Sequence, residues 1–124
     1  MYRFIELPSD FVTHRNGFIW APTQNSLRTI PGVGKVGEGI LGNDLAGGPI
    51  RTTFQLIATF ITLRTPLMNV LDHYNVFVCW LRVKGIRAFK NDIVVAMAGK
   101  TLCLLFTALV VRYRASLDLI EPPD

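Results

Sequence analysis

Ile30-Pro31-Gly32-Val33-Gly34-Lys35-Val36-Gly37-Glu38-Gly39-Ile40-Leu41 is the stretch on which the fold turns, since it sets four glycines among apolar residues at turn spacing. Gly32 to Gly37 matches GxGxxG literally, but a dinucleotide fingerprint must follow a strand, open a helix and meet an acid about 20 residues on. Thr29-Ile30-Pro31 is no strand, and the downstream region is apolar. The reading that fits is a hairpin between two short helices. Pro31-Gly32-Val33-Gly34 makes the turn, Ile30 and Val33 anchor it, and Val36 with Ile40 or Leu41 faces the core. Glycines there allow positive φ and close approach of a ligand. Outward amides at Gly32, Gly34 and Lys35 would suit one backbone phosphate without reading a base, with Lys35 and Arg28 adding charge. The same turn also serves simply to connect helices.

Outward from the turn, helical periodicity dominates. Ser9 is a candidate cap for a short helix through Phe11 and Val12, broken at Asn16-Gly17, and Pro22 to Ser26 reads as loop. After a loose stretch, Gly42 to Pro49, the apolar residues Ile50, Phe54, Ile57, Phe60, Ile61 and Leu63 predict a helix buried on more than one side. Thr65-Pro66 signals the next start, with Leu67, Val70, Leu71, Tyr74, Phe77, Val78 and Leu81 continuing to Gly85. A last helix opens at Asn91 and Asp92 and closes at Arg112 and Arg114, signs that match the helix dipole. The expected architecture is all-α: one compact domain of about five helices with a helix-hairpin-helix motif, spanning 1–124, with residues 1–8 and 117–124 as flexible ends.

Composition agrees. Half of the 124 residues are apolar and 18% charged, which excludes disorder by low hydrophobicity. The net charge of +4 sits on the body, with Arg82, Lys84, Arg87 and Lys90 in one run while Asp118, Glu121 and Asp124 crowd the end. Such a balance favours polyanionic partners, nucleic acid or anionic headgroups, without requiring one. The first ten residues lack the features of a removable signal. Ile93 to Val111 approaches the length of a membrane span, but Gly99 and Lys100 at its middle favour a buried helix.

Enzyme chemistry finds no foothold. His14 and His73 lie far apart with no cysteine at ligand spacing, Asp72 and His73 point to different helix faces, and no serine sits in a nucleophile elbow. No metal, cofactor or catalytic residue is expected. Cys79 and Cys103, both within apolar runs, are expected as buried reduced thiols. Trp80 is expected in the core, and Trp20 in a loop as a candidate exposed anchor.

Asp10-Phe11-Val12, a loop, Ile30 to Gly34, the helix IRTTFQLIATFITLR (50–64) and Phe77-Val78-Cys79-Trp80-Leu81 resemble, in that order, the barrier-to-autointegration factor family. The resemblance covers roughly 9–110, with extra residues around 42–49 and 65–75, and the C-terminal helix here is more apolar than the family's. It implies a five-helix domain that dimerises, binds double-stranded DNA without sequence preference and engages LEM-domain proteins of the inner nuclear envelope. Carried over by position, Gly32, Val33 and Gly34 would contact phosphate with Lys35 beside them, in the nucleus or cytoplasm. A second expectation comes from the apolar segment 93–111, which is more than a small domain hides. That points to a non-catalytic structural subunit of a large assembly, such as a virion or an organelle complex, with membrane contact the weaker third.

Overall fold

The computed structural model describes residues 9–120, and side chains over 15–115. Among the described residues it is all-helical: α1 (Ser9–Trp20), α2 (Lys35–Leu41), α3 (Thr53–Thr62), α4 (Val70–Lys84) and α5 (Lys90–Ile120), with one 3-10 turn at Leu27–Thr29 before the hairpin. The compact all-α, five-helix domain expected from periodicity is what forms. α5 is the spine, 31 residues or about 46 Å long, and α1, α3 and α4 all pack on it.

Local chemistry sets the starts of α3 and α4. Thr52 and Gln55 close a capping box on α3, and Asn69 and Asp72 do the same on α4. The second box moves the start of α4 past the expected Thr65-Pro66 signal. Asn69 accepts from the Asp72 N–H at 2.8 Å, whereas at Thr65 the chain makes a backbone turn, from the Met68 N–H to the Thr65 carbonyl at 3.1 Å. Leu67 consequently lies in the connecting loop, fully exposed, and Val70 and Leu71 are exposed as well. Gly85 ends α4 in the left-handed region at φ 112°. α1 runs through Asn16-Gly17 instead of breaking, so Trp20 sits at its C-terminal end, exposed, not in a loop. The expected Ser9 cap and the packing of Phe11 and Val12 lie outside the described side chains. α5 continues past the Arg112 and Arg114 stop to Ile120.

The core gathers Leu27, Ile30 and Leu41 from the hairpin, Leu56, Ile57 and Phe60 from α3, Phe77 and Leu81 from α4, and Ile93 and Met97 from α5. α3 buries one face only, since Phe54 and Ile61 remain about half exposed. On α4 the buried stripe is His73, Phe77, Leu81 and Lys84, so two polar residues occupy positions that apolar periodicity gave to Val70 and Leu71. Each reaches a backbone carbonyl otherwise short of a donor, the condition for burying a polar group. His73 Nε2 lies 2.7 Å from the carbonyl of Phe60, whose ring it stacks on.

Two buried lysines work in the same way, each on its own loop or helix end. The Lys84 ammonium donates to the carbonyls of Asn43 (2.8 Å), Leu45 (2.8 Å) and Gly48 (2.6 Å), while Asn43 Nδ2 donates back to the Lys84 carbonyl. Trp80, half-buried and stacked on Phe77, donates its indole N–H to Ala46. Together they order the loop that reads as loose in the sequence. The Lys100 ammonium, 2% exposed as a residue, donates to Phe18 (3.0 Å), Ile19 (3.3 Å) and Ala21, the last carbonyls of α1 and the residue after it. Gly99 lets α1 come this close, since a Cβ there would lie 2.5 Å from Ile19 Cδ1. Burial pushes both amines below their ordinary range, offset in part by Asp44 at Lys84 and by Cys103 at Lys100.

Candidate nucleic-acid interface

The turn between Thr29 and Lys35 is built from the inside outward. Ile30 and Val33 are buried, and the turn closes on backbone bonds from Ile30 N–H to Leu27 O (3.1 Å) and Val33 N–H to Ile30 O (3.0 Å). Gly32 has φ 91°, and a Cβ on it would meet Ile93 Cγ1 at 3.0 Å and both Asp92 Cβ and the Phe89 carbonyl at 3.1 Å. That glycine is required by the fold. Gly34 is different: φ is an ordinary −98°, the residue is exposed, and nothing lies within 4 Å of a Cβ there. Lys35 and Val36 follow it into solvent, so Val36 does not face the core as expected, and Leu41 and half-buried Ile40 take that side.

The expected contacts therefore separate. Gly34 and Lys35 form an exposed apex, whereas Val33 serves as an anchor whose N–H is already donated. The helix before the turn is a single 3-10 turn, and the helix after it has seven residues, too short for a large dipole contribution. Arg28 is exposed but donates from Nε to Glu38 Oε1 at 3.1 Å, tying the 3-10 turn to α2 and offsetting its charge locally. Ser26 caps the 3-10 turn by accepting from the Arg28 N–H.

The basic run also divides. Lys84 is withdrawn into the core as the loop clamp described above. Arg87 and Lys90 stand in the segment that packs against the turn: Ile86 approaches Gly37, and Phe89, Asp92 and Ile93 surround Gly32. Segments carrying Lys35, Arg87 and Lys90 are thus in direct contact at one corner of the molecule. The sequence alone did not reveal this neighbour relation, because it joins residues more than 50 positions apart. It also did not single out Phe89, which stands between the two cations at φ 61° with 65% of its surface exposed.

The remaining candidates lie elsewhere. His73 is spent on Phe60, and the His14 side chain is outside the described residues. Cys79 is exposed and Cys103 half-buried, so neither is the fully buried thiol expected from its apolar run. Cys103 sits on a helix whose outer face is itself apolar, which periodicity in the sequence does not distinguish from core, and Cys79 lies on the exposed face of α4 with Asn75 and Arg82. From Leu102 onward α5 leaves the core, and Leu105, Phe106, Leu109, Val111 and Tyr113 are all exposed, so the helix expected to be buried is buried only over its first third. Between its emerging part and α3 and α4 runs an open apolar groove of about 540 Å³, walled by Phe60, Val70, Ala98, Leu102 and Leu105 with Arg64 beside them. No protein-family model, curated protein or solved structure matches this chain.

Proposed function

We propose that this chain binds double-stranded DNA without sequence preference, through phosphate contacts at the corner formed by the hairpin apex and the segment 86–92. The observation that carries this reading is the packing of Phe89, Asp92 and Ile93 around Gly32, which brings the segment that bears Arg87 and Lys90 against the turn that bears Gly34-Lys35. Backbone amides and flexible cations hold phosphate oxygens and read no base edge, so the mechanism is electrostatic. The order of sequence elements shared with the barrier-to-autointegration factor family supports the same reading, including a helix-hairpin-helix role for the turn.

Three cations in the contact set an expectation. The logarithm of the association constant should fall with the logarithm of salt concentration at a slope of about −3 per bound chain, from roughly −0.9 per neutralised phosphate. Fluorescence anisotropy on unrelated duplexes of equal length reads it. Absence of binding at low salt, or a strong preference for one sequence, overturns the proposal.

A second reading is favoured by the exposed part of α5. The helix is long and apolar enough to cross a membrane by length and composition, with a 26-residue candidate segment, Lys90–Ala115, whose most apolar 18-residue window has mean hydropathy 2.2. Its first third, however, is fixed in the core by Ile93, Met97 and Lys100. The free apolar shaft is residues 102–111, about 15 Å at helical rise, half of a hydrocarbon core of about 30 Å, and Arg112 and Arg114 follow it. A helix apolar on all sides and too short to span fits burial among other protein helices. On this reading the chain is a packed subunit of an assembly, a homodimer being the simplest case. Sedimentation velocity should give a mass above the monomer, and Leu105→Glu with Phe106→Glu should return it to the monomer; a monomeric wild type at micromolar concentration overturns it.

A further inference from the structure

Phe89 holds a backbone conformation that a bulky side chain avoids. At φ 61° it lies in the left-handed region, where glycine or asparagine sits with less strain and a β-carbon bearing a ring is an outlier. Strain of this kind is normally offset by packing, yet the ring is 65% exposed and belongs to no core cluster. The positive φ itself has a clear role, since the Phe89 carbonyl accepts from the Ile93 N–H at 3.1 Å as the chain turns into α5. Glycine or asparagine would serve that purpose better. What the fold does not explain is the ring.

Its surroundings suggest what the ring touches. Arg87 and Lys90 flank it in sequence, and its carbonyl lies against Gly32, three residues from Lys35. An exposed aromatic face among cations that can hold a phosphate is the combination that takes an unstacked base, with the backbone fixed by charge and the base laid on the ring. Strained residues persist where a binding event uses the geometry they enforce.

We infer that Phe89 stacks on an unpaired base, so that the chain prefers DNA carrying a bulge, gap or single-stranded junction over intact duplex. This rests on the phosphate-binding reading above and adds a substrate class to it. Every base has a π-face, so the preference is for the unpaired state and not for sequence.

The test compares a blunt duplex with the same duplex carrying one unpaired adenine, using wild type, Phe89→Ala, Phe89→Asn and Phe89→Tyr. Wild type and Phe89→Tyr should bind the bulged duplex about five- to a hundredfold more tightly than the intact one, the range that alanine substitution at base-stacking aromatics spans. Phe89→Ala and Phe89→Asn should bind the two duplexes with equal affinity, the preference for the bulge being lost. Phe89→Asn should also melt higher than wild type, because asparagine relieves the left-handed strain while removing the ring. Intact-duplex binding without any bulge preference, or a preference that survives Phe89→Ala, overturns the stacking inference and leaves phosphate binding standing. Failure of wild type to bind either duplex overturns both.

Discussion

Replacing Lys100 with methionine is expected to lower stability by about 3 kcal/mol, because the carbonyls of Phe18, Ile19 and Ala21 lose their common donor and a buried unsatisfied carbonyl costs about 1–3 kcal/mol. Methionine fills nearly the same volume, so the loss reports hydrogen bonding and not a cavity. It also removes the cation set 5.4 Å from the centre of the Phe18 ring. Against a usual domain stability of about 5–15 kcal/mol this is a large fraction, and for a chain of this size it corresponds to a fall in Tm of about 10 °C. The damage should begin locally. Among the described residues the only extensive contact of α1 with another helix is with α5, so α1 should exchange its amide hydrogens and become protease-sensitive before the rest. An unchanged Tm in thermal melts would show that the three carbonyls are satisfied without the ammonium.

The same lysine gives a pH signature. Burial holds the folded pKa of Lys100 below the 10.5 of an unfolded chain. Between those two values the unfolded state binds more protons than the folded one, so stability rises with pH through that window. Lys84 adds to the rise for the same reason. Lys100→Met should flatten the slope in melts taken from neutral pH toward 10.5, and an unchanged slope would show that Lys100 does not carry it.

These lysines also mark how far the sequence could be read. The all-α class and the approximate helices followed from spacing at three and four, because burial of one face against a spine is a local property that residues 50–64 and 70–84 carry in themselves. The role of Lys100 did not. In the sequence it is a charge interrupting an apolar run, an argument against lipid; in the structure it is the C-terminal cap of a helix some 80 positions earlier. A lone lysine on a buried stripe signals that some carbonyl needs it but carries no information about which. That 93–111 carries more apolar surface than a small domain hides was legible, but that Leu105 and Phe106 are among the residues left outside was not: apolar residues on a protruding shaft and in a core look alike until the length of the packed part is known. At the candidate interface, the apex Gly34-Lys35 was legible from glycine spacing, whereas Arg87, Lys90 and Phe89 joined it only through tertiary packing. Arg28 fell the other way, its charge already engaged by Glu38.

Gly34→Glu and Gly32→Ala should have opposite consequences, and the contrast separates the architecture of the turn from its binding. At Gly34 the space around a new side chain is open and φ is ordinary, so glutamate should leave the melt within about 0.5 kcal/mol of wild type, as exposed substitutions do. Its carboxylate, however, would stand at the apex where a phosphate oxygen is to sit. Repulsion of like charges about 4 Å apart is about 1 kcal/mol in water and about 4 kcal/mol near a protein surface, so affinity for duplex should fall at least about fivefold. At Gly32 alanine meets Ile93, Asp92 and the Phe89 carbonyl at 3.0–3.1 Å with φ at 91°. Strain of about 1–3 kcal/mol follows, and relieving it requires moving the turn away from the segment that carries Arg87 and Lys90. Gly32→Ala should therefore lose stability and lose duplex affinity in proportion to the displaced corner, whereas Gly34→Glu should lose affinity alone. Melting curves paired with anisotropy titrations distinguish the two. If Gly34→Glu binds duplex as wild type does, the turn acts only as architecture, and any phosphate contact must come from Arg87 and Lys90 without it.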